Sequence, residues 1–468
     1  MLFNSLNFLV YFPIVVLVYF CLAPKYRNVF LLLASYYFYM NWKPIYAILL
    51  LFSTSITWIC GYMMDHSDKL KSKKVFLTVS LIINFSILFF YKYFNFLNQV
   101  IYDALSWLGV RYEMVDFDIL LPVGISFYTF QAVGYTIDVY RKDIDHEKSF
   151  IDYCLFVSFF PQLVAGPIER AKNLLPQFKE IKVFTSENLY NGLKLMIWGY
   201  FLKLVLADRL AIYVNAVFNN IDHHNGSSIT LASILFAFQI YGDFFGYSLI
   251  AIGTAKVMGF NLMTNFNRPY FSTSITAFWR RWHISLSTWF KDYLYIPLGG
   301  NRGSLARNQF NLFLTFFVSG IWHGANYTFV VWGALHGLFL IIEKKLKLDN
   351  SGKNLFSTIC KIILTFILVD LAWIFFRANT INDAYSALMK IFTTTGDSLF
   401  VKADVLIGAF FALIILFIKE LKDEFFPHRL NLLSNKNPYV AAVFFVLLFS
   451  IILLLGVFDS GQFIYFQF

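Results

Sequence analysis

The sequence predicts an all-α fold, a polytopic integral membrane protein with about ten or more transmembrane helices plus amphipathic and re-entrant ones, in one domain over residues 1–468. Three observations carry this. Of 468 residues 58% are hydrophobic and only 14% charged, more apolar surface than a soluble chain can hide. The apolar residues fall in successive runs long enough to approach or cross a bilayer. The excess of 38 Lys and Arg over 28 Asp and Glu, a net charge of +10, sits mostly in the short loops between those runs. That is the signature of membrane topology, and no nucleic-acid partner is read from it.

The first apolar stretch, Leu6 to Ala23, has no basic residue before it and no small-residue cleavage site after it, so it is expected to stay as a span. Runs at 28–42 and 45–64 follow, separated by Lys25 and Arg27 and then by Lys43. Lys69, Lys71, Lys73 and Lys74 mark a cytoplasmic loop, and counting back through three spans puts the N-terminus outside. Further runs at 75–91, 117–137, 151–165, 188–207 and 229–255 are interrupted by Gly, Pro or charge. The breakers in Leu121-Pro122-Val123-Gly124 and in Phe160-Pro161 through Gly166-Pro167 are tolerated only where protein or water lines the break, which predicts a cavity in the middle of the chain. Asp243, in Tyr241-Gly242-Asp243-Phe244, is a costly intramembrane charge expected to pair with an Arg or Lys; structural pairing is favoured over catalysis. Cys21, Cys60, Cys154 and Cys360 are scattered through apolar stretches and read as small core residues, not as a disulfide or zinc framework.

Residues 265–337 pack charge and three of the eight histidines into apolar surroundings. From Phe278 to Tyr295, Trp279, Trp282, Leu286, Trp289 and Tyr293 recur at helical spacing, with Arg280, His283, Ser287 and Lys291 on another face. One amphipathic helix ending near Pro297 is expected. Leu298 to Gly303 then reads either as a turn whose amides face an anion or as a plain interfacial turn, the second being favoured. The apolar run from Leu312 to Ile342 holds Trp322-His323-Gly324 and, thirteen residues on, His336. At 1.5 Å per residue this is roughly 46 Å of helix, more than a bilayer core of about 30 Å needs, so a break near Gly320 or Gly324 is expected. Ionisable groups in such a run mark functional sites, the alternative being an imidazole bonded to a nearby carbonyl. Lys344, Lys345 and Lys347 and the charged loop from Lys419 to Arg429 should lie inside. Spans at 356–376, 403–418 and 438–457 then put the C-terminus outside, where Gly461 to Phe468 reads from composition as an interfacial aromatic belt.

No H-E-x-x-H, C-x-x-C or carboxylate cluster accompanies these histidines, so no metal is assigned to them. No G-x-S-x-G elbow supports a serine nucleophile. What remains is histidine in a dry aromatic cavity, an imidazole with an ordinary pKa of about 6.5 that can take and return a proton. A transporter or export channel for polysaccharide or lipid-linked sugar is the alternative class, also built of broken helices around a cavity. The lack of a visible internal repeat weighs against it.

The run Phe278-Trp279-Arg280-Arg281-Trp282-His283-Ile284-Ser285-Leu286-Ser287-Thr288-Trp289, then Asp292 to Gly303, then Gly320-Ile321-Trp322-His323-Gly324-Ala325-Asn326, closely resembles the membrane-bound O-acyltransferase family in its bacterial alginate O-acetylation branch. The likeness extends to Met1–Ser5, Leu121–Asp138, Pro161–Arg170 and Asn265–Tyr270. It implies helices around a central funnel, and an acetyl group taken from cytoplasmic acetyl-CoA and passed through the bacterial inner membrane to a secreted polysaccharide, with no bound cofactor. It also implies a separate extracytoplasmic acetyltransferase partner of the SGNH hydrolase type. On this resemblance His323 matches the catalytic histidine, His283 a second functional histidine, and Tyr465 an acyl acceptor on the outer side. Trp322, Asn326, His336, Arg280, Ser287 and Asp243 are the expected supporting residues. One departure stands out: where the branch has Asp-Phe-Ser-Gly-Tyr-Ser-Asp, this chain has Asp243-Phe244-Phe245-Gly246-Tyr247-Ser248-Leu249, without one hydroxyl and one carboxylate.

Overall fold

Where water is scarce, a backbone satisfies its amides and carbonyls within its own segment, and a chain this apolar does so by coiling into helices. The computed structural model describes residues 1–114, 117, 120–164, 166–346, 354–397, 403–426 and 438–458, and every long element among them is helical. Two compact units emerge, one of residues 1–189 with 255–262 and one of residues 190–254 with 263–468.

The first unit holds α1 (Leu6–Cys21), α2 (Pro24–Met40), α3 (Tyr46–Asp65), α4 (Leu70–Trp107), α5 (Ile125–Arg141), α6 (Phe150–Ser158), α7 (Phe160–Leu163) and α8 (Ala171–Lys179). Ser5 starts α1 by accepting the Phe8 amide at 3.2 Å. The expected span at 75–91 is the middle of a much longer helix, since the 38 residues of α4 extend about 57 Å. Gly124 turns the chain into α5 at φ +74°, and a Cβ there would lie 2.5 Å from the Leu163 carbonyl oxygen, so glycine is required twice over. The break between α6 and α7 falls at Phe159, with Pro161 in the first turn of α7, and the Phe156 carbonyl beside it accepts the side-chain amides of Gln131 (2.7 Å) and Gln162 (2.6 Å). A helix can break in apolar surroundings because polar side chains take over its freed carbonyl.

The second unit begins in α9 (Ser186–Tyr200), continues through a π-helical turn at Phe201–Ala207 into α10 (Asp208–Phe218), and then forms α11 (Gly226–Val257). Two short helices follow, α12 (Ile275–Arg281) and α13 (Ile284–Phe290), then α14 (Leu305–His323), α15 (Tyr327–Leu346), α16 (Leu355–Arg377), α17 (Ile381–Thr393), α18 (Ala403–Phe425) and α19 (Pro438–Leu455). Close crossings rest on glycine. A Cβ on Gly199 would sit 2.6 Å from the Gly246 carbonyl oxygen, joining α9 to α11. One on Gly320 would sit 2.4 Å from the Phe329 carbonyl oxygen and 2.9 Å from the Gly333 Cα, joining α14 to α15.

The single amphipathic helix expected over 278–295 is two helices broken at Trp282-His283, with a π turn at Lys291–Tyr295. The break in the 312–342 run falls at Gly324–Asn326, at one of its two expected places. Cys60 and Cys154 are buried as core residues, whereas Cys21 and Cys360 are exposed. By length and composition four helices can cross a membrane, α3, α4, α11 and α16, and shorter apolar ones include α1 and residues 439–455. Exposed large apolar side chains such as Leu17, Ile48, Ile82 and Ile363 suit a lipid environment.

Replacing Gly320 by Val should force α14 and α15 apart and cost about 1–3 kcal/mol by overpacking. A lower melting temperature of the detergent-purified protein is expected, and an unchanged one would contradict the close crossing.

Candidate active site

The site is assembled at the two helix breaks of the second unit. At the first, His283 adopts φ +43° and ψ +55°, a left-handed conformation that an L side chain seldom takes, and caps α13. Its neighbours hold it there. The Asn267 amide donates to the Arg281 carbonyl at 3.0 Å and the Ile284 amide to the Asn265 carbonyl at 2.9 Å, stitching the segment before α12 to both sides of the break. The Asn265 side chain donates to Ser248 Oγ at 2.9 Å and accepts from Ser285 Oγ at 2.6 Å, tying the same point to α11 and α13. Arg268 and Arg281 meet Glu424 of α18 at 2.6 and 2.8 Å. The His283 ring, 1% exposed, stands edge-on to Phe244 with centroids 4.6 Å apart.

His323 is the last residue of α14 and is 3% exposed. Gly324 follows because a Cβ there would overlap the Phe329 ring, 2.1 Å from its nearest atom. Asn326 accepts the Thr328 amide at 3.0 Å and donates to the Asn379 carbonyl at 2.9 Å, fixing the start of α15 against the turn after α16. The His323 ring lies edge-on to Trp322, Trp332 and Phe376, at 4.9, 4.9 and 5.3 Å.

Trp322 separates the two predicted catalytic histidines, 6.2 Å from His283 on one side and 4.9 Å from His323 on the other. Trp332 likewise lies between His323 and His336, 4.9 Å from each. His336 Nδ1 accepts the Trp279 indole N–H at 3.3 Å, which leaves Nε2 as the ring's other, buried nitrogen. Three histidines and three tryptophans thus form one continuous aromatic cluster from α12 to α15.

A cavity of about 770 Å³ opens beside this cluster. Arg280, Ser287 and Ile284 line it from the broken pair α12 and α13, Ser319 from α14, and Lys344 from α15. Ser319 lies one helical turn before His323, and Ile284 follows His283 in sequence; neither histidine is itself in the wall. Lys291 adds a further cation to the lining, and Glu343 accepts the amides of Ile275 and Thr276, placing a carboxylate at the N-terminus of α12. The Gly299, Gly300 and Arg302 amides bond within their own turn, to Ile296, Tyr295 and Gly299, which agrees with a plain turn and leaves fewer donors for an anion.

Asp243 is buried and bonds Lys203 at 2.7 Å; Lys203 also bonds Asp208 at 2.7 Å. The π turn brings Lys203 and Asp208, five apart in sequence, to the same side. Asp243 precedes Phe244, so the ion cluster anchors the helix that presents Phe244 to His283. At the two positions where the family pattern is lost, Phe245 stacks on Tyr241 at 5.3 Å and Leu249 is buried, so packing occupies both. Lys203, Asn265, Glu343 and Glu424 were not singled out by sequence. A lysine inside the 188–207 apolar run was the available signal for the first. Tyr465 lies outside the described residues.

Comparison with known proteins bears on this arrangement. The sequence matches the membrane-bound O-acyltransferase family over residues 34–348, which includes His283, His323 and His336. It is 39% identical over 395 residues to a "probable alginate O-acetylase" of Pseudomonas aeruginosa, covering 84% of this chain and 75% of that protein. It is 35% identical over 434 residues to the peptidoglycan O-acetyltransferase of Helicobacter pylori, covering 85% and 81%. To the teichoic acid D-alanyltransferase of Bacillus subtilis it is 27% identical over 275 residues, covering 55% and 69%. The match spans both helix breaks and all three clustered histidines, and the chain belongs to the membrane-bound O-acyltransferase family.

Proposed function

We propose that this multi-pass membrane enzyme takes an acetyl group from acetyl-CoA on the cytoplasmic side and moves it across the bacterial inner membrane for O-acetylation of an extracytoplasmic polysaccharide. The relatives' names support acyl transfer to a polymer such as alginate or peptidoglycan. The observation that carries the reading is the cavity beside the histidine cluster. Its lining joins Arg280, Lys291 and Lys344 to residues adjoining His283 and His323. Three cations suit the phosphates of acetyl-CoA, and the sequence places Lys344 on the cytoplasmic side. The apolar wall at Trp279, Phe316 and Leu340 suits the pantetheine arm.

In the proposed step a hydroxyl oxygen attacks the thioester carbonyl carbon. His323 accepts the hydroxyl proton as the new C–O bond forms. The C–S bond then breaks and the thiolate leaves, taking a proton to give free CoA. His283 orients the reactants or stabilises the developing charge. Trp322, between the two imidazoles, fixes their separation, and Asn326 fixes the turn on which His323 sits. Tyr465 supplies the hydroxyl and carries the acetyl group to an SGNH-type partner outside, which transfers it to the polymer. Both termini lie outside in this topology, about ten or more helices cross the membrane, and residues 1–468 act as one membrane-embedded enzyme.

His323→Ala should reduce acetyl transfer from radiolabelled acetyl-CoA by at least 10²-fold, the usual scale for losing a general base, with an unchanged melting temperature. Retained transfer would remove the base from the scheme. Tyr465→Phe, which deletes one oxygen, should abolish polymer acetylation, and normal output would return the terminus to an interfacial aromatic belt. Arg280→Glu with Lys344→Glu should raise KM for acetyl-CoA about tenfold or more while sparing kcat, each lost charge-assisted contact weakening binding by roughly 1 kcal/mol or more. An unchanged KM would mean the donor enters elsewhere.

A further inference from the structure

We infer that Glu424, near the end of α18, is a positioning residue for His283: through two arginines it sets the backbone geometry of the break from which that imidazole projects. Outside glycine, left-handed backbone is sparsely populated and persists only where its surroundings enforce it. Among the described residues three non-glycine positions adopt it, and two of them belong to this site, His283 at φ +43° and Arg268 at φ +46°. Arg268 is the more unusual, because it precedes Pro269 and a residue before proline is ordinarily extended.

The two bends are parts of one junction. Asn267 and Asn265 bond by their backbones to Arg281 and Ile284, the residues on either side of Trp282-His283. Glu424 closes the junction with side chains. Its Oε2 accepts Arg268 Nε at 2.6 Å, its Oε1 accepts Arg281 Nη1 at 2.8 Å, and the same Nη1 donates to the Arg268 carbonyl oxygen at 3.3 Å. One carboxylate therefore joins the side chain of one bent residue to the side chain two positions before the other. Its side chain is only 15% exposed, so water screens these bonds in part, and without it the two guanidiniums would repel across the junction.

Glu420, one turn earlier on α18, holds the aromatic side of the same junction. It is buried and accepts the Tyr241 hydroxyl, and the Tyr241 ring packs against Phe266 at 5.6 Å and Trp282 at 6.0 Å. Phe266 in turn meets Phe244, the ring that faces His283. Asp423, beside Glu424 in sequence, does neither: it pairs with Lys419 and Lys422 of its own helix at 2.8 and 3.0 Å. An ion pair that served stability alone would change the amount of folded enzyme, whereas one that sets this junction changes where the imidazole stands.

Glu424→Gln, Asp423→Asn and the unaltered chain are compared in lipid nanodiscs by hydrogen–deuterium exchange and by initial rates of transfer from radiolabelled acetyl-CoA, the rates also in a His283→Ala background. In Glu424→Gln, exchange should quicken in peptides covering 264–268 and 282–287 and stay unchanged in α15. Its kcat should fall about tenfold or more while KM for acetyl-CoA holds, and it should add no further loss once His283 is replaced. Asp423→Asn should match the unaltered chain in both measurements. Unchanged exchange across the junction, an unchanged kcat, or an equal loss with and without His283 would overturn the inference. The kinetic arm rests on the acyl-transfer reading and the exchange arm does not: full activity of His283→Ala would count against that reading, with exchange still deciding the clamp.

Discussion

A helix interrupted inside an apolar fold exposes amides and carbonyls that no water is at hand to satisfy, and the second unit depends on how it meets that demand at two points. At Trp282-His283 the demand is met by the irregular segment at 265–268, whose backbone and side chains bond to both sides of the gap. At Gly324–Asn326 it is met by Asn326. A left-handed histidine costs about 1–3 kcal/mol, which these contacts offset. The result is that two imidazoles project from helix ends, where an unbroken helix would have fixed each within a packed face.

Tryptophan sets the distances between them. Trp322 stands between His283 and His323 and Trp332 between His323 and His336, so the three histidines keep their order along the cluster. The Lys203 cluster does comparable work from α9–α11, with one cation satisfying two carboxylates in the interior. A buried charge set of this kind is weak as a source of stability but strict about geometry, and its neighbour in sequence is the Phe244 that faces His283.

Much of the fold was legible because its signals are local. Span-length apolar runs, the glycine and asparagine after His323, and the proline at Pro161 all announce their structure within a few residues. His283 and His323 stood out because imidazole is costly in such surroundings. The break at His283 was not legible: Trp279, Trp282, Leu286 and Trp289 continue the helical spacing across it, and no glycine marks the left-handed residue. The contacts that hold that break come from Asn265 and Glu424, 18 residues before it and 141 after, so nothing in the local pattern could announce them. The π turn at Phe201–Ala207 was hidden for a related reason, since it is recognised only when Lys203 meets both Asp208 and Asp243.

In the proposed scheme the cavity bounded by Arg280, Ser319 and Lys344 leads the donor to the histidine cluster. A cryo-electron microscopy map of the enzyme in lipid nanodiscs with a non-hydrolysable thioether analogue of acetyl-CoA tests this most directly. Phosphate density is expected against Arg280, Lys291 and Lys344, with the arm running past Ser319 so that its acyl end reaches the His323 ring. Analogue density in another part of the chain, or an arm that stops short while Trp322 and Phe376 keep His323 sealed, would contradict it.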